Sequence, residues 1–277
     1  MRNNLLNLWT RLFAKSKYQK LNNFLFDLST HGLGILNFKN EIMSGEYHFI
    51  SKILPKYCTQ DSPVFLDIGA NLGDYSKLLL DSFPKANVIA FEPHPLTSER
   101  LKAEFGSRIK LLQMALGAEN GTISLFDYSN ADGSQHASVY EGVIKDLHNS
   151  EAVSCTVEVN RLDFVAEKLS LSERISLVKI DTEGNELDVL KGSEQLIKGG
   201  IVDIFHVEFN EMNVISRVFM RDIQKILSDY VGYRLLPAGG LRLSKNPLTT
   251  ELFAFQNIIF IHKRFSPDDN LLPTVIY

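Results

Sequence analysis

The chain has 277 residues, 44% hydrophobic and 22% charged, with 17 Gly and 9 Pro, which excludes disordered, collagen-like and low-complexity classes and predicts an ordinary globular protein. Lys and Arg number 29 against 33 Asp and Glu, a formal net charge of -4, so the chain as a whole does not attract a phosphate backbone and no nucleic-acid partner is expected. Cys58 and Cys155 match no metal-ligand or disulfide spacing, which points to a reducing, cytoplasmic setting.

In chain order, residues 1–60 read as a helical cap. No apolar run reaches the roughly 18 to 20 residues of a membrane span, and the N-terminal segment lacks the apolar core and cleavage site of a signal peptide. Leu5, Leu8, Trp9, Leu12 and Phe13 share one helical face, with Arg2, Arg11, Lys15, Lys17 and Lys20 mostly around the rest. This predicts a helix docked on the body; peripheral contact with a membrane surface is the alternative. A turn at His31 to Asn37 and a second amphipathic stretch, Glu41 to Leu54, stopped by Pro55, complete the cap.

From Pro63 short β-branched and apolar runs alternate with helical periods: VFLDIG, DYSKLLLDSF, NVIAFEP, PLTSERLKAEF, IKLLQMALG. That β-α-β-α-β texture predicts a parallel sheet covered by helices on both faces. GTISLFDY and SCTVEVN read as two strands inside an insertion, residues 118–175, too long for a plain crossover. The parallel texture resumes at ISLVKIDTEG, followed by a helix ELDVLKGSEQLI, a strand VDIFHVEFN, a helix over Arg217 to Leu227, and strands at YRLLP and FQNIIFIHK. The expectation is a doubly wound, mostly parallel α/β sheet of seven strands over residues 61–264, with a tail at 265–277. Such sheets bind ligands outside the carboxyl ends of their strands, so Asp67, Glu92, Gln113 to Gly117, Asp181 and Glu208 are expected to converge on one rim.

The densest local signal is Asp67-Ile68-Gly69-Ala70-Asn71-Leu72-Gly73-Asp74, between a buried strand and a helix. Glycines there let a ligand approach the backbone at the helix N-terminus. A dinucleotide fingerprint G-x-G-x-x-G is broken at Asn71 and Asp74. An acid before the first glycine repels a pyrophosphate and suits a ligand carrying a sulfonium and an ammonium, as S-adenosylmethionine does. Glu92 ends the second strand at the offset where an acid accepts from ribose hydroxyls, followed by Pro93 and Pro95, which stiffen the turn.

Asp181 ends the fourth parallel strand and admits two roles: general base toward an acceptor hydroxyl, or cap of the following helix, whose start carries Glu183, Glu186 and Asp188. A divalent metal held by Asp181, Glu208 and Asn210 is a third, less favoured arrangement. His136, in a polar stretch able to fold over the site, is the alternative base. His206 faces the same side as Glu208 and reads more readily as a hydrogen-bonded packing residue. Phe126, Tyr128 and Tyr140 are candidates to stack on a sugar, although aromatics at strand spacing usually pack in a core.

VFLDIGANLGDYS, FEPHP, ALGAENGTISL and VKIDTEGNELDVLKG, in this order and spacing, resemble the FkbM-type methyltransferases, a branch of the class I S-adenosylmethionine-dependent enzymes. The resemblance spans about Ser44 to His262, with SGEYHFISKIL as its lead-in. It implies a Rossmann-like methyltransferase sheet and a cofactor loop of Asp67, Gly69, Ala70, Asn71 and Gly73. It also implies a ribose site at Glu92 and Pro93, further cofactor contacts at Ala115, Leu116 and Asp181, and an acidic motif at Asp181 and Glu183. The implied activity is methylation of a hydroxyl oxygen on a sugar, glycan or secondary-metabolite acceptor. The chain has no [DN]-P-P-[YF] tetrapeptide to hold a planar amino group, which also favours oxygen. A nicotinamide-dependent oxidoreductase and a non-catalytic nucleotide-binding interaction module are the alternatives.

Overall fold

The structure, a computed structural model, describes residues 2–129, 133–134, 136–171 and 174–266. The C-terminal tail expected from 265 lies almost wholly outside these residues.

The main sheet has the strand order β10-β9-β11-β8-β7-β1-β2-β3. β1 (Val64–Ile68), β2 (Asn87–Phe91), β3 (Lys110–Leu112), β7 (Leu177–Ile180) and β8 (Ile204–Phe209) are parallel neighbours. β11 (Gln256–His262) inserts antiparallel between β8 and β9 (Tyr230–Leu236), and β10 (Gly239–Arg242) folds back on β9. The doubly wound, mostly parallel architecture is as expected, but among the described residues the sheet has eight strands rather than seven. The extra strand is β10, hidden in the sequence because GGLR has little β propensity and follows a tight turn.

The run expected as one strand, IKLLQMALG, is two. Met114 N–H turns back on the Leu112 carbonyl, and β4 (Ala115–Leu116) leaves the main sheet to pair with β6 (Ala152–Asn160). β6 also pairs antiparallel with β5 (Gly121–Tyr128), so the insertion builds a second, three-stranded sheet, β4-β6-β5.

Helices α1 (Arg2–Phe13) and α2 (Gln19–Gly32) open the chain, and α3 (Glu46–His48) continues through tighter and wider turns to Lys56. Pro55 therefore sits inside the last helical turn instead of stopping the stretch before it. Following them are α4 (Asp74–Ser82), α5 (Pro95–Phe105), α6 (Leu162–Lys168), α7 (Glu186–Lys191) and α8 (Glu194–Lys198). The last three are α9 (Met212–Ser216), α10 (Met220–Ile226) and α11 (Pro247–Thr250). The single helix expected over ELDVLKGSEQLI is broken between α7 and α8. There Gly192 lets the Gly117 carbonyl approach its Cα closely, a contact any Cβ would block.

The expectation that the N-terminal helix docks on the body is not met: α1 buries no residue and α2 buries only Thr30.

Two apolar layers sandwich the sheet. Ile68, Val178, Phe205 and Phe260 face α6, α7, α8 and α10. Phe65, Val88, Leu177 and Ile259 face α4, α5 and the helical run around Phe49 to Tyr57. The second layer is interrupted by a polar row in strict register, Asp67, Lys179 and His206, all buried. Lys179 Nζ donates to Asp181 Oδ2 at 2.7 Å and lies 4.9 Å over the Tyr75 ring. Burial opposes its charge, but the carboxylates of Asp181, Glu46, Asp67 and Glu208 outweigh burial and push its pKa up. Asp67 accepts from Ser76 Oγ at 2.6 Å, and Glu46 accepts from Ser44 Oγ at 3.0 Å; burial raises both carboxyls against the pull of Lys179.

Removing one member of such a buried set strands its partners, at a cost of about 3 to 5 kcal/mol. Lys179→Met is therefore expected to lose about that much stability at pH 7, measured by chemical denaturation. Without the ammonium, the carboxyls are protonated more readily, so the loss shrinks at pH 5. A loss that is small, or equal at both pH values, is incompatible with this account.

Candidate functional site

At the carboxyl ends of β1, β2 and β7 the chain leaves an open cleft. Gly69, Asn71, Glu92 and Pro93 line one part of it; Met114, Ala115, Leu116 and Leu125 form an apolar wall; Asp181, Thr182 and Glu183 close the far side. Asp67, Ala70 and Gly73, expected in the cofactor loop, do not line the cleft. Asp67 lies beneath the loop on Ser76, and Gly73 starts α4 with Leu101 and Phe105 where a side chain would be.

The loop geometry follows from its residue types. Gly69 has φ +79°, and a Cβ there would strike the Asp181 carbonyl, so glycine is what lets β1 and β7 end side by side. Asn71 has φ 47°, a left-handed conformation that asparagine tolerates. Its N–H donates to Glu92 Oε2 at 2.9 Å, while His94 N–H donates to Oε1 at 2.8 Å. Both oxygens of Glu92 thus hold the two turns together and keep lone pairs toward the cleft. Burial pushes the Glu92 carboxyl up to about 7, against those two N–H donors. The buried Asn71 Oδ1 has no protein partner.

At the far side Glu183 sits at φ 51°, its carbonyl accepting from Ser138 Oγ at 2.7 Å. The insertion therefore docks on the acidic turn, as expected of the polar stretch 129–138, of which 130–132 and 135 lie outside the described residues. His136 Nδ1 stands 3.5 Å from Glu183 Oε1, and its ring stacks on His148 at 4.6 Å. Glu183 raises the pKa of His136 against the effect of burial, and burial raises that of Glu183 to about 7.

Asp181 does not cap a helix. The acid that ties this turn is Glu186, which accepts from the Thr182 and Gly184 N–H groups and from Asn213 Nδ2. Asn185, named by no expectation, donates to the Leu116 carbonyl at 3.0 Å and so holds the apolar wall.

The expected metal set changes membership. Carboxylate oxygens of Asp181, Glu183 and Glu208 lie within 4.8 Å of one another. The Asn210 oxygen instead accepts Met212 N–H, and its Nδ2 donates to Glu208 at 2.9 Å and Glu183 at 3.3 Å. With Lys179 on Asp181, each of the three carboxylates already has a protein donor. Burial, followed by Asp181 and Glu183, raises Glu208 well above its ordinary value.

His206 is outside the cleft. It is held between Tyr75 Oη at 2.7 Å and Asn257 Oδ1 at 3.0 Å, and burial beside Lys179 lowers its pKa to about 3, so it is a neutral packing residue. Phe126 and Tyr140 pack beside Val143, Ile144 and Met212, and Tyr128 lies edge-on to His136 and His148.

Residues 67–235 match the Methyltransferase FkbM domain. Methyltransferase sdnD of Sordaria araneosa is 31% identical over 159 residues, 48% of this chain and 61% of that protein. The 2-O-methyltransferase NoeI of Sinorhizobium fredii is 32% identical over 145 residues, 49% of this chain and 59% of that protein. The hexuronic acid methyltransferase AglP of Haloferax volcanii is 28% identical over 191 residues, 68% and 70% of the two chains. The chain thus spans about three-fifths of the length of the first two relatives.

The pairing of His136 with Glu183 is directly measurable. In proton NMR the His136 ring is expected to titrate above 6.5 and to move down in Glu183→Gln, because its largest raising partner is gone while burial, opposed only by the smaller pull of Glu211 and Asp181, remains. An unchanged titration would mean that the two groups are not coupled.

Proposed function

The chain belongs to the FkbM family of methyltransferases, and from that membership we propose that it methylates a hydroxyl oxygen on a sugar or similar small acceptor, with S-adenosylmethionine as donor. One observation carries the reading: a single cleft has a diol-accepting carboxylate, Glu92, on one wall and Glu183, which pairs with His136 behind it, on the other.

The residues fit the donor. Glu92 keeps lone pairs for two ribose hydroxyls, Asn71 Oδ1 is a buried acceptor still without a partner, and Met114, Ala115, Leu116 and Leu125 offer an apolar surface for a base. Pro93 and Gly69 shape the walls, and Asp181 brings negative charge opposite a cationic centre. When bound, the donor supplies an electrophilic methyl group on a sulfonium.

The chain's own task is alignment, exclusion of water and removal of one proton. Alignment alone can contribute about 7 to 11 kcal/mol. His136 receives the proton of the acceptor hydroxyl and Glu183 steadies the resulting imidazolium. Asp181, committed to Lys179, is the charged fixture beside them.

The name of NoeI specifies oxygen and that of AglP a sugar acid; both support a carbohydrate acceptor. Residues 61–264 form the transferring unit in this reading, with 118–175 over the acceptor. The free Cys58 and Cys155 support a reducing, cytoplasmic setting. The net charge of -4 supports an acceptor other than nucleic acid. A metal is not part of this reading, since protein donors already serve the three acids. Membership of a methyltransferase family disfavours the oxidoreductase and the non-catalytic module.

Calorimetry should detect binding of S-adenosylmethionine and its demethylated product, and none of NAD; the reverse result ends the proposal. Glu92→Ala should weaken binding by about 1.5 to 3 kcal/mol in a folded protein. The ribose hydroxyls donate to the ionised carboxylate, so binding prefers the deprotonated form, and affinity should fall as pH drops below about 7. Loss of affinity on raising pH instead would remove Glu92 from the site. With an acceptor in hand, His136→Ala should lower turnover by about 10² to 10⁴ while donor affinity stays near normal.

A further inference from the structure

No helix among the described residues is long and apolar enough to cross a membrane, yet the first two helices leave apolar faces uncovered. Leu5, Leu8, Trp9 and Leu12 are exposed on α1, Trp9 at 38%, and Phe24 and Phe26 on α2. Most of the large hydrophobic side chains that remain exposed among the described residues belong to this arm and the loop after it. Such a concentration is not the scatter of single exposed apolar residues normal on a surface.

Charge identifies the occupant. Residues 1–26 contain Arg2, Arg11, Lys15, Lys17 and Lys20 and not one Asp or Glu, although the chain as a whole is acidic at -4. The basic side chains are exposed, Lys15, Lys17 and Lys20 following directly on α1. Trp9 stacks on Phe13 with ring centroids 4.3 Å apart, a rigid aromatic pair at the helix's last turns. A helix with Leu and Trp on one side and cations around it lies in the headgroup layer of an anionic bilayer, where apolar burial and attraction to lipid charge add.

The arm also joins the body beside the cleft. β9 runs parallel to β8, because both pair antiparallel with β11, so Leu235 and Leu236 end on the same rim as Phe209. Gly34 and Gly45, both at positive φ, pack against the carbonyls of Leu235 and Leu236, and Leu36 N–H donates to the Phe255 carbonyl at 2.8 Å.

We propose that α1 and the basic segment after it form a peripheral binding surface for anionic phospholipid membranes. A chain held this way presents the cleft's rim beside the bilayer, a consequence that rests on the methyl-transfer reading; the binding itself does not.

Trp9 is the only tryptophan, so emission excited at the red edge, beyond tyrosine absorption, reports on α1 alone. The full chain, without donor or acceptor, is mixed with vesicles of equimolar phosphatidylcholine and phosphatidylglycerol, and with phosphatidylcholine vesicles as control. The expected result is co-sedimentation and a blue shift of Trp9 emission with the anionic vesicles, weakened by salt. Lys15→Glu/Lys17→Glu/Lys20→Glu should lower vesicle affinity by at least about a hundredfold. Leu5→Glu/Leu12→Glu should abolish the blue shift; these side chains are not buried, so circular dichroism and melting of the body should match wild type. No blue shift with anionic vesicles, or binding indifferent to lipid charge, overturns the proposal. So does a blue shift without vesicles that rises with protein concentration and a doubled mass, since a second copy then covers the face. Because no step reads methyl transfer, failure here leaves the enzyme reading intact, and failure to bind S-adenosylmethionine leaves this one intact.

Discussion

A single buried ammonium organises the centre of this molecule. Lys179 sits mid-strand in β7, where its neighbours Val178 and Ile180 are fully apolar, and a lone Lys in that position is tolerable only if its charge is answered. Asp67 answers from the neighbouring strand, Asp181 from the strand's own end, and Glu46 from the N-terminal cap. The same charge acts on carboxylates from three parts of the chain that are distant in sequence, β1, the end of β7 and the cap. It also sets the orientation of the Asp181 carboxylate facing the cleft.

What Lys179 does not neutralise is left to protons. Glu92, Glu183 and Glu208 have raised pKa values, first of all through burial. A carboxyl whose folded pKa lies above its unfolded value contributes stability that is complete below the unfolded value and lost as pH rises through the folded one. For Glu92 and Glu183 that window runs from 4.5 to about 7. Near neutrality the cleft is therefore short of positive charge, which favours a cationic ligand there. Electrostatic strain in the free protein and affinity for a cation are two descriptions of the same arrangement.

The parallel part of the fold was legible because buried strands and amphipathic helices leave different periods: VFLDIG, NVIAF and LVKI could hardly be anything but buried strands. The Glu92 site was legible for a similar reason, since an acid directly after a buried strand has little to do except face a rim. Lys179 left a readable trace, a cation inside an apolar run, but its partner Glu46 did not, because nothing local links SGEYHF to a strand so far along the chain. The break between β3 and β4 was invisible, since LLQMALG has the composition of one strand; only pairing of Ala115 and Leu116 with β6 divides it. Asp181 as the cap of the following helix does not hold: sequence spacing alone does not say which of the nearby acids turns inward, and that acid is Glu186. The docking expected of α1 failed for a related reason: an amphipathic face says that something covers it, not what.

The two walls of the cleft have different origins, and that bears on which wall can vary. The Gly69–Asn71 turn and Glu92 are set by β1, β2 and α4, elements whose packing fills both apolar layers, so a change there disturbs the core. Ser134, Ala137 and Val139 come from the insertion, whose small apolar cluster around Leu125, Val157 and Val159 is separate from both layers. Yet the insertion is not free to drift. Asp127 takes Ser134 N–H at 3.0 Å and stands 3.8 Å from His94 Nε2, and Ser138 Oγ is bonded to the Glu183 carbonyl. It is thus pinned at the turn after Glu92 on one side and at the acidic turn after Asp181 on the other. Side chains between these pins can change while both pins hold, which lets that wall be rebuilt without moving Glu92 or Glu183.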